Sequence, residues 1–257
     1  MSETKELSVD KLKVKISQTR KEMGELAAED VSEKLRDLLR TKETVNVIFA
    51  SAPSQNEFLA ALSVTRGIDW GRINAFHMDE YIGLDEEAPQ RFGHFLKERI
   101  FDKVKLRNAF YINTNVDDPN EECRRYAGLL EEYPVDVVCM GIGENTHIAF
   151  NDPHVADFED PLRVKVIDLA EASRYQQVHD GCFTKLEDVP VTAITLTVPA
   201  LMQADSVYCM VPGRNKASAI YHTIHEEIGE RYPSTILRKH RGAILYIDKD
   251  SASALAF

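Results

Sequence analysis

Six-residue stretches that are apolar almost throughout recur along this chain, at 45–50, 73–78, 135–140 and 206–211. A strand with one wet face alternates apolar and polar residues, so one that is apolar at nearly every position must be buried on both faces. Patterns of helical period separate these runs, at 57–65, 90–101, 119–133 and 215–225, and further strand candidates lie at 110–112, 163–169, 193–197 and 243–247. Strands covered on both sides and separated by helices predict an α/β fold: a doubly wound, mainly parallel, Rossmann-like sheet with helices on both faces. No repeat, low-complexity tract or Gly/Pro/Ser linker divides the chain, so residues 1–257 read as one domain. In such sheets ligands bind beyond the carboxyl ends of the strands, which makes the strand-following loops the place to look.

Composition narrows the ligand. The net charge of -11 disfavours a nucleic-acid or anionic-membrane surface, since both need a basic face. A few local cations still suffice to hold a small anion. The longest apolar runs are far too short to span a bilayer. Residues 1–21 are charged and polar, unlike a signal or transit peptide. Cys123, Cys139, Cys182 and Cys209 form no C-x-x-C pair and read as reduced thiols, which suits the cytoplasm.

Two strand ends carry chemistry. The run at 73–78 leads straight into Asp79, Glu80 and Tyr81, where a loop is expected to begin. Two carboxylates there would sit at the ligand-binding edge; the plainer alternative has Asp79 capping a turn and Glu80 solvated. The run at 135–140 leads into Gly141-Ile142-Gly143-Glu144-Asn145-Thr146-His147-Ile148-Ala149-Phe150-Asn151-Asp152-Pro153. Gly141 and Gly143 permit a sharp turn and close approach to a ligand. The segment is neither a dinucleotide fingerprint nor a P-loop, because the third glycine and the Gly-Lys-Ser/Thr element are missing. It brackets His147 with two carboxylates, Glu144 and Asp152. An imidazole held by a carboxylate has a defined tautomer and suits proton transfer near neutral pH. His77, Asp79, His147 and Asp152 lack the spacing of a metal site, so no metal is expected.

These strings resemble the two signatures of the glucosamine-6-phosphate deaminase (isomerase) family, within the superfamily that includes 6-phosphogluconolactonases. The likeness runs from the first apolar strand to the last. Lactonases typically show Asp-Glu-Arg and a Gly-x-Asp-Gly-His-Thr-Ala-Ser loop. This chain has Tyr81 and His147-Ile148-Ala149-Phe150-Asn151, which is similar to the deaminase branch. The resemblance implies a sugar-phosphate enzyme that opens an amino-sugar ring, moves a proton between C2 and C1, and releases ammonia without a cofactor. It implies Asp79 as the proton shuttle, His147 for ring opening, and Asp152 in place of a glutamate that positions the histidine. It also allows a homo-oligomer, since relatives often form one.

The chain departs from the pattern in three places. Asn145 stands where the family usually has Asp; either Glu144 replaces that carboxylate or Asn145 orients the substrate. Thr146 stands where Gly is usual, and would crowd the loop if the backbone needs positive φ. The phosphate loop reads Ser51-Ala52-Pro53-Ser54 where the family has Gly-Gly between its hydroxyls, so Pro53 removes an N–H donor. Lys216 matches the family's phosphate lysine at a helix start. Arg174 is the nearest candidate for a second phosphate cation, with His179 as the alternative. Glu80 and Gly143 complete the expected substrate contacts. The segment 176–183 suggests a branch apart from the best-known deaminases, which leaves room for galactosamine 6-phosphate, a lactone, or a non-catalytic sugar-phosphate sensor.

Overall fold

The computed structural model describes residues 4–255, so the first three residues of the polar N-terminal stretch lie outside it. Eleven strands and seven α-helices follow one another: β1 Lys5–Val9, β2 Leu12–Ser17, α1 Arg20–Thr41, β3 Val45–Phe49, α2 Asn56–Val64, β4 Ile73–His77, β5 Asp79–Tyr81, α3 Phe92–Leu96, β6 Asn108–Phe110, α4 Pro119–Glu132, β7 Val137–Met140, β8 Val164–Asp168, α5 Glu171–His179, β9 Thr192–Leu196, α6 Val198–Met202, β10 Ser206–Val211, α7 Ala217–His225 and β11 Ala243–Asp248. Eight strands make the main sheet in the order β1-β2-β11-β10-β7-β3-β4-β6. All its pairings are parallel except the β1–β2 hairpin at one edge.

The apolar runs are buried on both faces, as their composition requires. In β3, Val45, Val47 and Phe49 face one core with α1 and α2, while Ile48, and Ala50 just past the strand, face the other with α4, α6 and α7. Strand β7 divides the same way, Val137 and Cys139 to the first core, Val138 and Met140 to the second. Helix α1 starts at Thr19, whose hydroxyl accepts the Glu22 N–H. Its Gly24 lets α2 come so near that a β-carbon would stand 2.6 Å from Glu57 Cβ.

The structure revises the expected sheet. The runs at 163–169 and 193–197 leave the main sheet and join β5 in a separate antiparallel sheet, β5-β9-β8. Residues 79–81, expected as loop, are therefore strand. They pair with β9 because Met78 turns the chain out of β4, its carbonyl accepting the Leu196 N–H. The expected helix at 90–101 begins at Phe92 and widens into a π-type turn at Lys97–Phe101. The sequence pattern marks neither the N-terminal hairpin nor helices α1, α5 and α6. Among the described residues no helix is long and apolar enough to cross a membrane, and all four cysteines are free thiols.

Candidate functional site

Strand β3 runs to β4 and β6 on one side, whereas β7, β10 and β11 continue on the other. The strand order thus reverses between β3 and β7, the place where a doubly wound sheet opens a crevice. A cleft occupies it, lined beyond β3 by Ala50, Ser51, Ala52, Ser54 and Gln55, beyond β4 by Met78 and the first residue of β5, Asp79, and beyond β7 by Gly141 to Gly143. His147, Ala149 and Phe150 follow β7, Gln176 and Gln177 come from α5, and Lys216 comes from the turn before α7.

His147 is held from one side of its ring. Nδ1 lies 2.8 Å from Asn145 Oδ1, 2.9 Å from Ser173 Oγ and 3.2 Å from Asp152 Oδ1. Three acceptors around one nitrogen place the proton on Nδ1 and leave the Nε2 lone pair for the cleft. Asp152 is fully buried, and burial alone would raise its pKa. Hydrogen bonds from His147, Asn145 and Ser173 outweigh burial and hold it below the ordinary carboxylate range. Its other oxygen accepts the Ala170 N–H at the start of α5, 2.9 Å away. The imidazole lies flat against Gly143, where a β-carbon would stand 2.1 Å from Cε1. The Gly143 N–H donates to the His147 carbonyl (2.9 Å), closing the loop on itself. Thr146 sits in that loop at φ +72°, the region glycine favours, and its buried hydroxyl has no hydrogen-bond partner.

Asp79 and Glu80 diverge because successive side chains of a strand point to opposite faces. Asp79 lines the cleft, with its pKa raised well above the usual value by burial and then by the neighbouring Glu80 charge. The Glu80 carboxylate turns away from the cleft and is buried, neither contacting the site nor solvated. It accepts the N–H groups of Tyr81 (3.0 Å), Phe92 (3.1 Å) and Gly93 (3.0 Å), capping α3. Glu80 is thus a structural cap, correcting its expected substrate role. His77 is likewise committed: Nδ1 meets the Asp79 carbonyl and Nε2 accepts the Ile112 N–H, both at 2.9 Å. Burial lowers its pKa to about 3, so it is neutral.

Two further expectations are corrected. Glu144 does not reach His147. Its carboxylate accepts from Asn215 Nδ2 (2.9 Å) and lies 3.5 Å from His179 Nδ1, leaving Asp152 as the carboxylate on the histidine. Arg174 donates to the carbonyls of Leu186 (2.8 Å) and Val189 (2.9 Å) and does not line the cleft. Helical geometry explains this: one residue beyond Ser173 points about 100° away. His179 is largely exposed and also stands outside it.

Lys216, which also lines the cleft, is buried, and loss of solvent lowers its pKa, while Asp180 and Glu144 act in the opposite sense. In the same cleft, Ser51 Oγ and Gln55 Oε1 are buried without partners. Pro53 occupies the first position of a helical turn, where its missing N–H interrupts no intrahelical bond. Unpaired buried polar atoms that share a cleft with a buried cation suit an anionic ligand group. Sequence reasoning passed over Ser173. The signal was available in Ser173, Gln176 and Gln177, three polar residues at i, i+3 and i+4 that mark an inward polar face on α5. Among the described residues no group of three His, Cys, Asp or Glu is placed to hold a metal ion.

Residues 18–246 match the family model described as glucosamine-6-phosphate isomerases/6-phosphogluconolactonase. A glucosamine-6-phosphate deaminase of Bacillus cereus (strain G9842) is 32% identical over 219 residues, covering 85% of this chain and 81% of that protein. One from an Exiguobacterium species is 35% identical over 189 residues, covering 74% and 72%. The structure of a monomeric glucosamine-6-phosphate deaminase superposes with a TM-score of 0.85 at 26% identity, covering 94% of this chain and 99% of that one. A 6-phosphogluconolactonase from Thermotoga maritima shares the fold, with a TM-score of 0.75 at 18% identity over 92% and 99% of the two chains.

Proposed function

The chain belongs to the glucosamine-6-phosphate isomerase/6-phosphogluconolactonase family, and on that premise we propose that it converts glucosamine 6-phosphate to fructose 6-phosphate and ammonia. The observation that carries this reading is that Asp79, His147 and buried Lys216 line one cleft. The phosphate is held by Lys216 and the Ser51–Gln55 turn. His147 takes the C1 hydroxyl proton and returns it to the ring oxygen, opening the pyranose to the aldehyde. Asp79 removes the proton from C2 and delivers it to C1, while the C1 oxygen takes up the proton that the substrate ammonium gives up as the C2–N bond becomes an iminium. Water then adds at C2 and ammonia leaves, giving the ketone. A carboxyl whose burial raises its pKa is a stronger base once ionised, which suits abstraction from carbon. Asp152 keeps the His147 proton on Nδ1, so that Nε2 serves the ring.

The test is a coupled ammonia assay on glucosamine 6-phosphate and galactosamine 6-phosphate, run beside hydrolysis of 6-phosphogluconolactone. Ammonia and fructose 6-phosphate from the glucosamine compound are expected. Lactone hydrolysis without ammonia, or no turnover of any of the three, defeats the proposal.

A further inference from the structure

Ser173 lies at the centre of the network behind His147, yet neither motif of the sequence contains it. Its hydroxyl is 2.9 Å from His147 Nδ1 and is hydrogen-bonded to Asp152 Oδ1; Asn145 Nδ2 approaches it at 3.3 Å. Asp152 itself stands farther from Nδ1, at 3.2 Å. A single N–H cannot serve three acceptors equally, and the two nearest are Asn145 and Ser173. The carboxylate has no proton of its own, so the Ser173 O–H must donate toward Asp152. That leaves the Ser173 oxygen lone pairs to accept from Nδ1–H. Asp152 Oδ1 is the most distant of the three from Nδ1, and the Ser173 hydroxyl bridges it to the ring.

We infer that Ser173 is a positioning residue that relays the Asp152 carboxylate to His147 and fixes the Nδ1–H tautomer. The relay ties α5 to the histidine. One turn along the same helix, Gln176 and Gln177 line the cleft, and Gln176 Oε1 accepts the Glu144 N–H at 2.7 Å. Docking of α5 thus shapes the cleft wall and orients the imidazole in one movement. The inference rests on the ring-opening role proposed for His147, but its structural core, the tautomer, does not depend on the substrate.

The experiment is 15N NMR of the histidine rings in the wild type, Ser173→Ala, Ser173→Cys and the double variant Asp152→Glu/Ser173→Ala, with steady-state kinetics on glucosamine 6-phosphate alongside. The wild type should show a single Nδ1–H tautomer for His147. Ser173→Ala should show a mixture, with kcat lower by about 10- to 100-fold, the range for losing a hydrogen bond to a charged group, and KM within threefold. Ser173→Cys fills the same space but hydrogen-bonds weakly, so it should shift the tautomer in the same direction even if the alanine variant folds poorly. The longer Glu carboxylate should reach Nδ1 directly and restore both tautomer and turnover. A single Nδ1–H tautomer retained in Ser173→Ala and Ser173→Cys overturns the relay. Should the wild type release no ammonia while its tautomer still responds to Ser173, the proposed reaction fails and the relay stands.

Discussion

The imidazole of His147 rests on the α-carbon of Gly143, so closely that a β-carbon would sit 2.1 Å from Cε1 and 2.3 Å from Nε2. The ring cannot retreat, because Nδ1 is anchored to Asn145, Ser173 and Asp152 behind it. Gly143→Ala should therefore displace the ring from the cleft and lower kcat by at least about 100-fold, since a displacement near 1 Å costs that much in an aligned site. Circular dichroism should remain native. Turnover within threefold of wild type would show that the ring has room this geometry denies it.

Thr146 precedes the histidine at φ +72°, with its hydroxyl buried and unpartnered. A β-branched residue in that region is strained by roughly 1–3 kcal/mol, and the orphan hydroxyl adds a desolvation cost. Thr146→Gly removes both, against about 1 kcal/mol of added chain entropy. The expected result is a rise in melting temperature of a few degrees by thermal denaturation, with a fall as the contrary outcome. That the strain lies beside His147 explains why it persists: the same turn places Thr146 O against the Ser234 N–H and closes the loop under the ring.

Lys216 is the one cation among the described residues lining the cleft. Lys216→Met keeps the length of the side chain and removes the charge. The KM for glucosamine 6-phosphate should rise by about 100-fold, in line with a charge-assisted contact of 1.5–3 kcal/mol, with kcat changed far less. Inorganic phosphate should also cease to inhibit competitively. A variant with unaltered KM would mean the phosphate binds elsewhere.

The legible part of this molecule was the part set by local pattern. Apolar runs buried on both faces reveal the parallel strands without any knowledge of their partners, and the residues at their ends, Asp79, His147, Asp152 and Lys216, follow from strand-end logic and family likeness. What stayed hidden depends on pairing or direction. The runs at 163–169 and 193–197 are good strands, but nothing local says that they pair with residues 79–81 rather than with the main sheet. Arg174 was a plausible anion ligand by distance along the chain, yet its angle on α5 sends it to the carbonyls of Leu186 and Val189. The N-terminal hairpin escaped because β1 is an edge strand, polar at most positions, and such strands carry no continuous apolar run.

Asp79 and Glu80 supply the last prediction, because adjacent carboxylates here should answer opposite to each other when neutralised. Burial, and then the Glu80 charge, raise the pKa of Asp79 above its unfolded value near 4. A carboxyl with a raised folded pKa binds its proton more tightly in the native state, so its ionised form costs stability at neutral pH. That cost vanishes as pH falls through the folded pKa. Asp79→Asn should therefore abolish turnover while raising the melting temperature at pH 7.5, and the gain should shrink toward pH 4. Burial raises the Glu80 pKa as well, but its two oxygens accept three backbone N–H groups that act against burial. An amide keeps one oxygen and turns a donor toward at least one of those N–H groups. Glu80→Gln should lower stability by roughly 1–3 kcal/mol, the cost of leaving buried partners unpaired. Paired denaturation curves at the two pH values decide the matter. A destabilised Asp79→Asn at pH 7.5 would place that carboxylate in the fold's support, and Glu80→Gln at wild-type stability would remove the cap assigned to it.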